Sequence, residues 1–177
     1  MTAAWRLRLG FRAARRAAAR RAAPAMPPLA QRRVLVLLPA SEEAGRAVWQ
    51  FLGTLALPPA QIRAVALHGR LPFAPDAFAG AVLVPGPFDW RGLPRPADRE
   101  AAWTPRPDVA LDLSGPLSPA SALLAGAAPA ALRVGCHAPR AEPFYDLLIA
   151  GTGRTEDTLA LLRDTLARIR PPALPLR

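Results

Sequence analysis

Five arginines, Arg8, Arg12, Arg15, Arg16 and Arg20, follow one another at spacings of four, three, one and four in the segment "WRLRLGFRAARRAAARRAA", residues 5 to 23, which contains no acid. On a helix this spacing collects them on one face. A guanidinium is a planar fork that fits phosphate oxygens, and each phosphate neutralised releases counterions. The chemistry predicted for this face is therefore capture of a polyanion, a nucleic acid backbone first and an anionic membrane surface second. Level with the second stands a helix whose apolar face packs on its own domain or a partner while the arginines are only a solvated face, and an import receptor comes last.

A second set of polar residues stands just after short apolar runs: Ser41, His68, Gly86, Ser114 with Gly115, and Cys136 with His137. If the runs are parallel strands, these residues mark their carboxyl ends, the edge at which open α/β sheets bind ligands. His68, Ser114 and His137 would be the acid, base and nucleophile types of a small transferase or hydrolase. Cys136 and His137 are adjacent, so a strand sends them to opposite faces and they do not form a nucleophile and base pair. Asp108 and Asp112, four apart on one strand, would lie ~13 Å from each other, too far to share an ion or a proton, and so suit structural roles. No catalytic residue, metal site or cofactor is assigned.

"GTGRTED", residues 151 to 157, sits where a phosphate loop would sit but lacks the third glycine of the dinucleotide fingerprint. Glu156 and Asp157 would repel an anion at the start of the following helix, so a capped turn at Thr152 or Thr155 is the expectation. No Walker lysine exists in a chain without lysine. Trp90 and Trp103, in a proline-rich stretch, are expected to cover the edge of a core rather than to stack on bases.

The charge is unevenly placed. All 23 basic residues are arginine, which points to a coding bias. Nine of them and no acid fall in residues 1 to 33, giving +9, against 14 arginines and 13 acids in the rest, giving +1. Bias alone would spread the charge; its segregation implies a partner of opposite sign. The single Cys136 excludes an internal disulfide. The longest aliphatic run, Val34 to Leu38, is far short of the ~20 residues of a membrane span. That run lies too far from the start and is too short for a secretory signal, and the first 40 residues hold no serine and only Thr2, against a mitochondrial presequence.

The elements that would position these residues follow from pattern. Residues 4 to 22 are predicted helical, with Leu7, Phe11, Ala14 and Ala18 along the apolar face, and Pro24, Pro27 and Pro28 form a linker. "RRVLVLLPA" is a buried strand, and Ser41 caps a helix over 42 to 56 with Val48, Phe51, Leu52 and Leu55 inward. "IRAVALHG", "GAVLVPG", "PDVALDLSG", "ALRVGC" and "FYDLLIAG" are further strands. Residues 85 to 107 are irregular, with about a helical turn near 97 to 103. "SPASALLAGAA" and "TEDTLALLRDTLARI" are helices, the second with Leu159, Leu162, Leu166 and Ile169 inward. The alternation predicts an α/β three-layer sandwich on a mainly parallel sheet, Rossmann-like or flavodoxin-like. The expected organisation is a basic arm and linker over 1–32, an α/β domain over 33–170 and a tail over 171–177.

Four motifs in this order, "DWRG" (89–92), "DVALDLS" (108–114), "LRVG" (132–135) and "FYDLLI" (144–149), resemble a family of small bacterial proteins, uncharacterised in activity, that pair a basic N-terminal helix with one α/β domain. The resemblance implies a bacterial origin, which counts against a mitochondrial presequence, and no activity to carry over. Members of that family build the helix with lysine as well, so coding bias does not account for its charge. More faintly, residues 108 to 135 are similar to the acceptor half of heptosyltransferase-like glycosyltransferases. Those enzymes need two Rossmann-like domains, so the similarity implies a shared fold only.

The sequence thus predicts a non-catalytic binding protein. Arg8, Arg12, Arg15, Arg16 and Arg20 would grip nucleic acid, RNA ahead of DNA, in a cytoplasmic and ribosome-associated role, while the α/β domain meets a protein partner. The alternatives are the transferase or hydrolase at Ser41, His68, Ser114, Gly115 and His137, and a peripheral membrane adaptor whose helix inserts Trp5 and Phe11.

Overall fold

The computed structural model describes residues 3–20, 26–27, 31–55, 57–67, 81–150 and 155–168. Strands β1 (Val34–Leu38), β2 (Ile62–Ala66), β3 (Ala81–Leu83), β4 (Val109–Asp112), β5 (Leu132–Cys136) and β6 (Leu147–Ile149) form one sheet in the order β3-β2-β1-β4-β5-β6. Every pairing is parallel, with Val34 opposite Ile62 on one side and Val109 on the other. This order is that of the Rossmann type of doubly wound sheet rather than of flavodoxin, and its direction reverses between β1 and β4.

The central strands are apolar throughout because both faces are covered. All five residues of β1 are buried, with Leu35 and Leu37 on one face and Val34, Val36 and Leu38 on the other. Helices α2 (Glu42–Thr54) and α5 (Thr155–Arg168) cover the second face through Val48, Phe51, Leu52, Leu159, Leu162 and Leu166. Ser41 caps α2, its hydroxyl accepting the Ala44 N–H at 3.2 Å. Ile169 and the "GTGR" of residues 151 to 154 lie outside the described residues.

The first face carries α3 (Pro96–Trp103), α4 (Pro119–Leu124) and α1 (Ala3–Ala19). All six residues of α4 are buried, because the sheet lies on one side of it and α1 on the other. A helix covered all round must be apolar all round, and "PASALL" meets that demand. Its one strongly polar end is closed by a capping box between Ser118 and Ser121. Trp103 is half-buried against the same core and donates its indole N–H to the Leu124 carbonyl at 2.9 Å.

Candidate functional site

The basic helix is built from the best helix formers, alanine and arginine, over most of its length. Its docked face is a row of the smallest residues: Gly10, Ala14 and Ala18 are buried, flanked by half-buried Phe11, Ala13 and Ala17. Gly10 makes the close approach feasible. A Cβ there would stand 2.4 Å from the Arg91 carbonyl oxygen and 2.7 Å from Pro119 Cβ. The predicted apolar face is therefore corrected at one end: Leu7 is about half exposed, one turn beyond Gly10 where the platform stops. Only Ala14, Ala18 and, in part, Phe11 of the expected four pack on the domain.

"DWRG" builds that platform. The Asp89 carboxylate accepts the Arg91 N–H at 2.8 Å, the Leu93 N–H at 3.1 Å and two Arg91 guanidinium bonds at 2.9 and 2.7 Å. Burial works against its charge, but these hydrogen bonds prevail and hold the carboxyl below its ordinary value. The turn so locked offers the Arg91 carbonyl to Gly10 and turns Trp90 outward, where it stacks on Trp5 at 6.0 Å between ring centroids. Trp90 is 52% exposed, so it does not cover a core edge as the sequence suggested.

Docking the small-residue row leaves Arg8, Arg12, Arg15, Arg16 and Arg20 on the outward side, all exposed. Among the described residues none of the five forms an ion pair. The structure also divides them. Arg8, Arg12 and Arg15 line a cleft of about 550 Å³ together with Phe11, Arg140, Glu142, Pro143 and Phe144, whereas Arg16 and Arg20 lie outside it. The lining thus holds four arginines and one glutamate. Phe11 and Phe144 meet at its floor, ring centroids 6.2 Å apart and tilted by 43°.

Arg140 was not singled out by sequence, being one arginine among many. It reaches the cleft from the turn Ala138-Pro139-Arg140-Ala141, closed by the Ala141 N–H on the Ala138 carbonyl at 3.0 Å. The only local signal is Pro139, which favours the second position of a turn. Behind it, Arg133 fixes the connection between β5 and β6. Its side chain is 1% exposed, pairs with Asp146 at 2.8 Å and donates to the Ala128 and Ala130 carbonyls. Such a buried guanidinium is tolerable only because each donor has an acceptor.

The carboxyl edge of the sheet is organised around Asp112. It accepts the Ser114 N–H at 3.1 Å, the Ser114 hydroxyl at 2.6 Å and the Tyr145 hydroxyl. Burial, then the negative charge and hydrogen bond of Asp112, push the Tyr145 hydroxyl far above its ordinary value, with Ser121 opposing. Burial and the same charge raise the Cys136 thiol, so it stays a neutral thiol rather than a reactive thiolate. Tyr145 fits because β5 has Gly135 at that point: a Cβ would meet its ring at 2.7 Å.

The predicted ligand-edge residues are thus placed differently from one another. Ser41 is the exposed cap of α2, Ser114 is buried and committed to Asp112, Gly115 is exposed with open space around it, and His137 is exposed. Among the described residues no hydrogen bond joins the His137 side chain to Ser114, and no group of three or more His, Cys, Asp or Glu is placed to hold a metal. His68 lies outside the described residues. Asp108, at the opposite end of β4, accepts the Arg33 N–H at 2.7 Å.

Among the described residues no helix is long and apolar enough to cross a membrane. No family model, curated protein or solved structure matches the chain.

Proposed function

We propose that this chain is a non-catalytic binding protein whose arginine face grips the backbone of structured RNA, ribosomal RNA included, in the cytoplasm, while the α/β domain meets a protein partner. One observation carries this reading: five exposed arginines with no ion pair among the described residues stand on or directly after a helix whose other face is pinned to the domain. A pinned helix presents its charges in a fixed array and loses less entropy on binding than a free arm would. Arginine held this way, with no ion pair among the described residues, keeps its guanidinium donors for phosphate.

Replacing Arg8, Arg12, Arg15, Arg16 and Arg20 together by glutamine tests it. The parent should bind RNA with a steep salt dependence, a log–log slope of about −3.5 to −4.5 if each of the five meets one phosphate. The variant should lose that binding with its circular dichroism and thermal melt unchanged, since none of the five side chains is buried. Binding that survives the five substitutions overturns the reading.

A membrane adaptor is the second reading, and one observation favours it: Trp5 and Trp90 form an exposed stacked pair beside Arg91. Phe11, the other residue that reading called on, is half-buried against Phe144 and lines the cleft instead of projecting outward beside Trp5. Vesicles of anionic lipid that bind the parent and release a Trp5→Ala, Trp90→Ala chain would favour it. The enzymatic alternative has less behind it, because the Ser114 hydroxyl is donated to Asp112 and not to a histidine.

A further inference from the structure

Resting on the nucleic-acid reading, we propose that the cleft between α1 and the turn at residues 138 to 144 takes one unpaired nucleotide of the bound RNA, with phosphate on Arg8, Arg12, Arg15 and Arg140 and the base against Phe11. A duplex backbone is a convex surface and would engage the outward crest of α1, where Arg16 and Arg20 stand as well. The cleft is a recess, and its volume of about 550 Å³ falls in the range of about 300–1,000 Å³ typical of sites for molecules of nucleotide size. Its lining has the two parts that single-stranded recognition needs, guanidinium groups for phosphate and an aromatic ring for a base. A site for inorganic anions alone would have no use for a floor of Phe11, Phe144 and Pro143.

The backbone at Arg140 is an independent sign. Its φ is +71°, in the left-handed region where side chains other than asparagine and aspartate are uncommon. With Pro139 before it and the hydrogen bond that closes the turn, this is the position where glycine removes all strain. An arginine stands there instead, and its side chain lines the cleft opposite Arg8, Arg12 and Arg15. Strained conformations of this kind persist where the side chain has a task. The one acid in the lining, Glu142, leaves the arginines in excess and offers an acceptor for a base N–H, such as the ring N–H of uracil.

The test uses the full chain, a short labelled oligouridine and a blunt RNA duplex of equal length. Arg140→Gln and Phe11→Leu should each weaken oligouridine binding by about tenfold or more, with little effect on the duplex. Arg16→Gln, on the helix but outside the cleft, should weaken both alike. Parent-like oligouridine binding by Arg140→Gln, or equal losses on strand and duplex, overturns the cleft assignment and leaves the helix-face reading standing. A parent that binds neither RNA overturns both. Phe11→Leu counts only if its circular dichroism matches the parent; Arg140→Gln, exposed on a turn, carries the test alone otherwise.

Discussion

Asp112 and Tyr145 hold each other in a buried pair that depends on Tyr145 keeping its proton. Tyr145 must stay neutral to donate, and its raised titration makes the fold sensitive to alkali. Below the ordinary tyrosine value near pH 10 both folded and unfolded chains hold this proton, and the contribution is intact. Above it the unfolded chain releases the proton while the folded chain retains it, so stability falls as pH rises, by up to about 1.4 kcal/mol per pH unit from this group. Cys136, also raised, acts in the same direction from a lower pH. Tyr145→Phe should cost about 1–3 kcal/mol at neutral pH, by leaving Asp112 one donor short, and should flatten the decline above pH 10. Denaturant melts across that range on both proteins decide it; parallel declines would show that Tyr145 does not titrate as argued.

At this same scale the sequence was legible for groups whose chemistry is in their type and spacing. The arginine row needed only the helical repeat. Arg140 and Arg133 were not legible, since what distinguishes them from other arginines is a left-handed backbone in one case and burial in the other. Ser114 was correctly sited at a strand end, but whether its hydroxyl faces solvent or Asp112 depends on the turn that follows β4.

Among the elements, α1 is where pattern and packing diverge. Leu7, Phe11, Ala14 and Ala18 have the hydropathy of a docking face, yet the buried row begins at Gly10, the point of closest approach, which hydropathy ignores. Glycine costs a helix about 1 kcal/mol relative to alanine, so Gly10→Ala should help an isolated helix. In the folded chain the new methyl group meets the Arg91 carbonyl and the Pro119 ring, backbone and stiff side chain that cannot yield cheaply. The expected result is a net loss of about 1–3 kcal/mol, read as a lower melting temperature together with a change in tryptophan fluorescence as Trp5 leaves Trp90. An unchanged melt would mean that the helix is not seated on this row. The strands were read more easily, because runs such as "VLVLL" have no arrangement available to them other than burial on both sides.

For the whole molecule, the surplus of charge and one face of the core belong to the same helix. Of the +9 carried by the first 33 residues, six charges, Arg6, Arg8, Arg12, Arg15, Arg16 and Arg20, stand exposed on or directly after α1 with no acid among them, a strongly positive strip for a polyanion. The helix that bears them is also the lid over α4 and Phe144. A chain lacking residues 1 to 30 should therefore expose apolar surface as well as lose charge. It should bind the dye ANS and scatter light at concentrations where the five-glutamine variant stays clear. If the shortened chain behaves like the parent in both respects, the helix is not part of the core.

Helix α1 rests on Arg91, Pro119 and Phe144, residues made long after it during synthesis. Its own turns can form at once, but its seat exists only after β4, β5 and the turn beyond them have assembled. Closing so long a stretch of chain places this docking among the late events of folding. In the interval the arginines are not yet held in a fixed array and the apolar underside of α1 is uncovered, so the molecule gains its full grip on a polyanion only as folding ends.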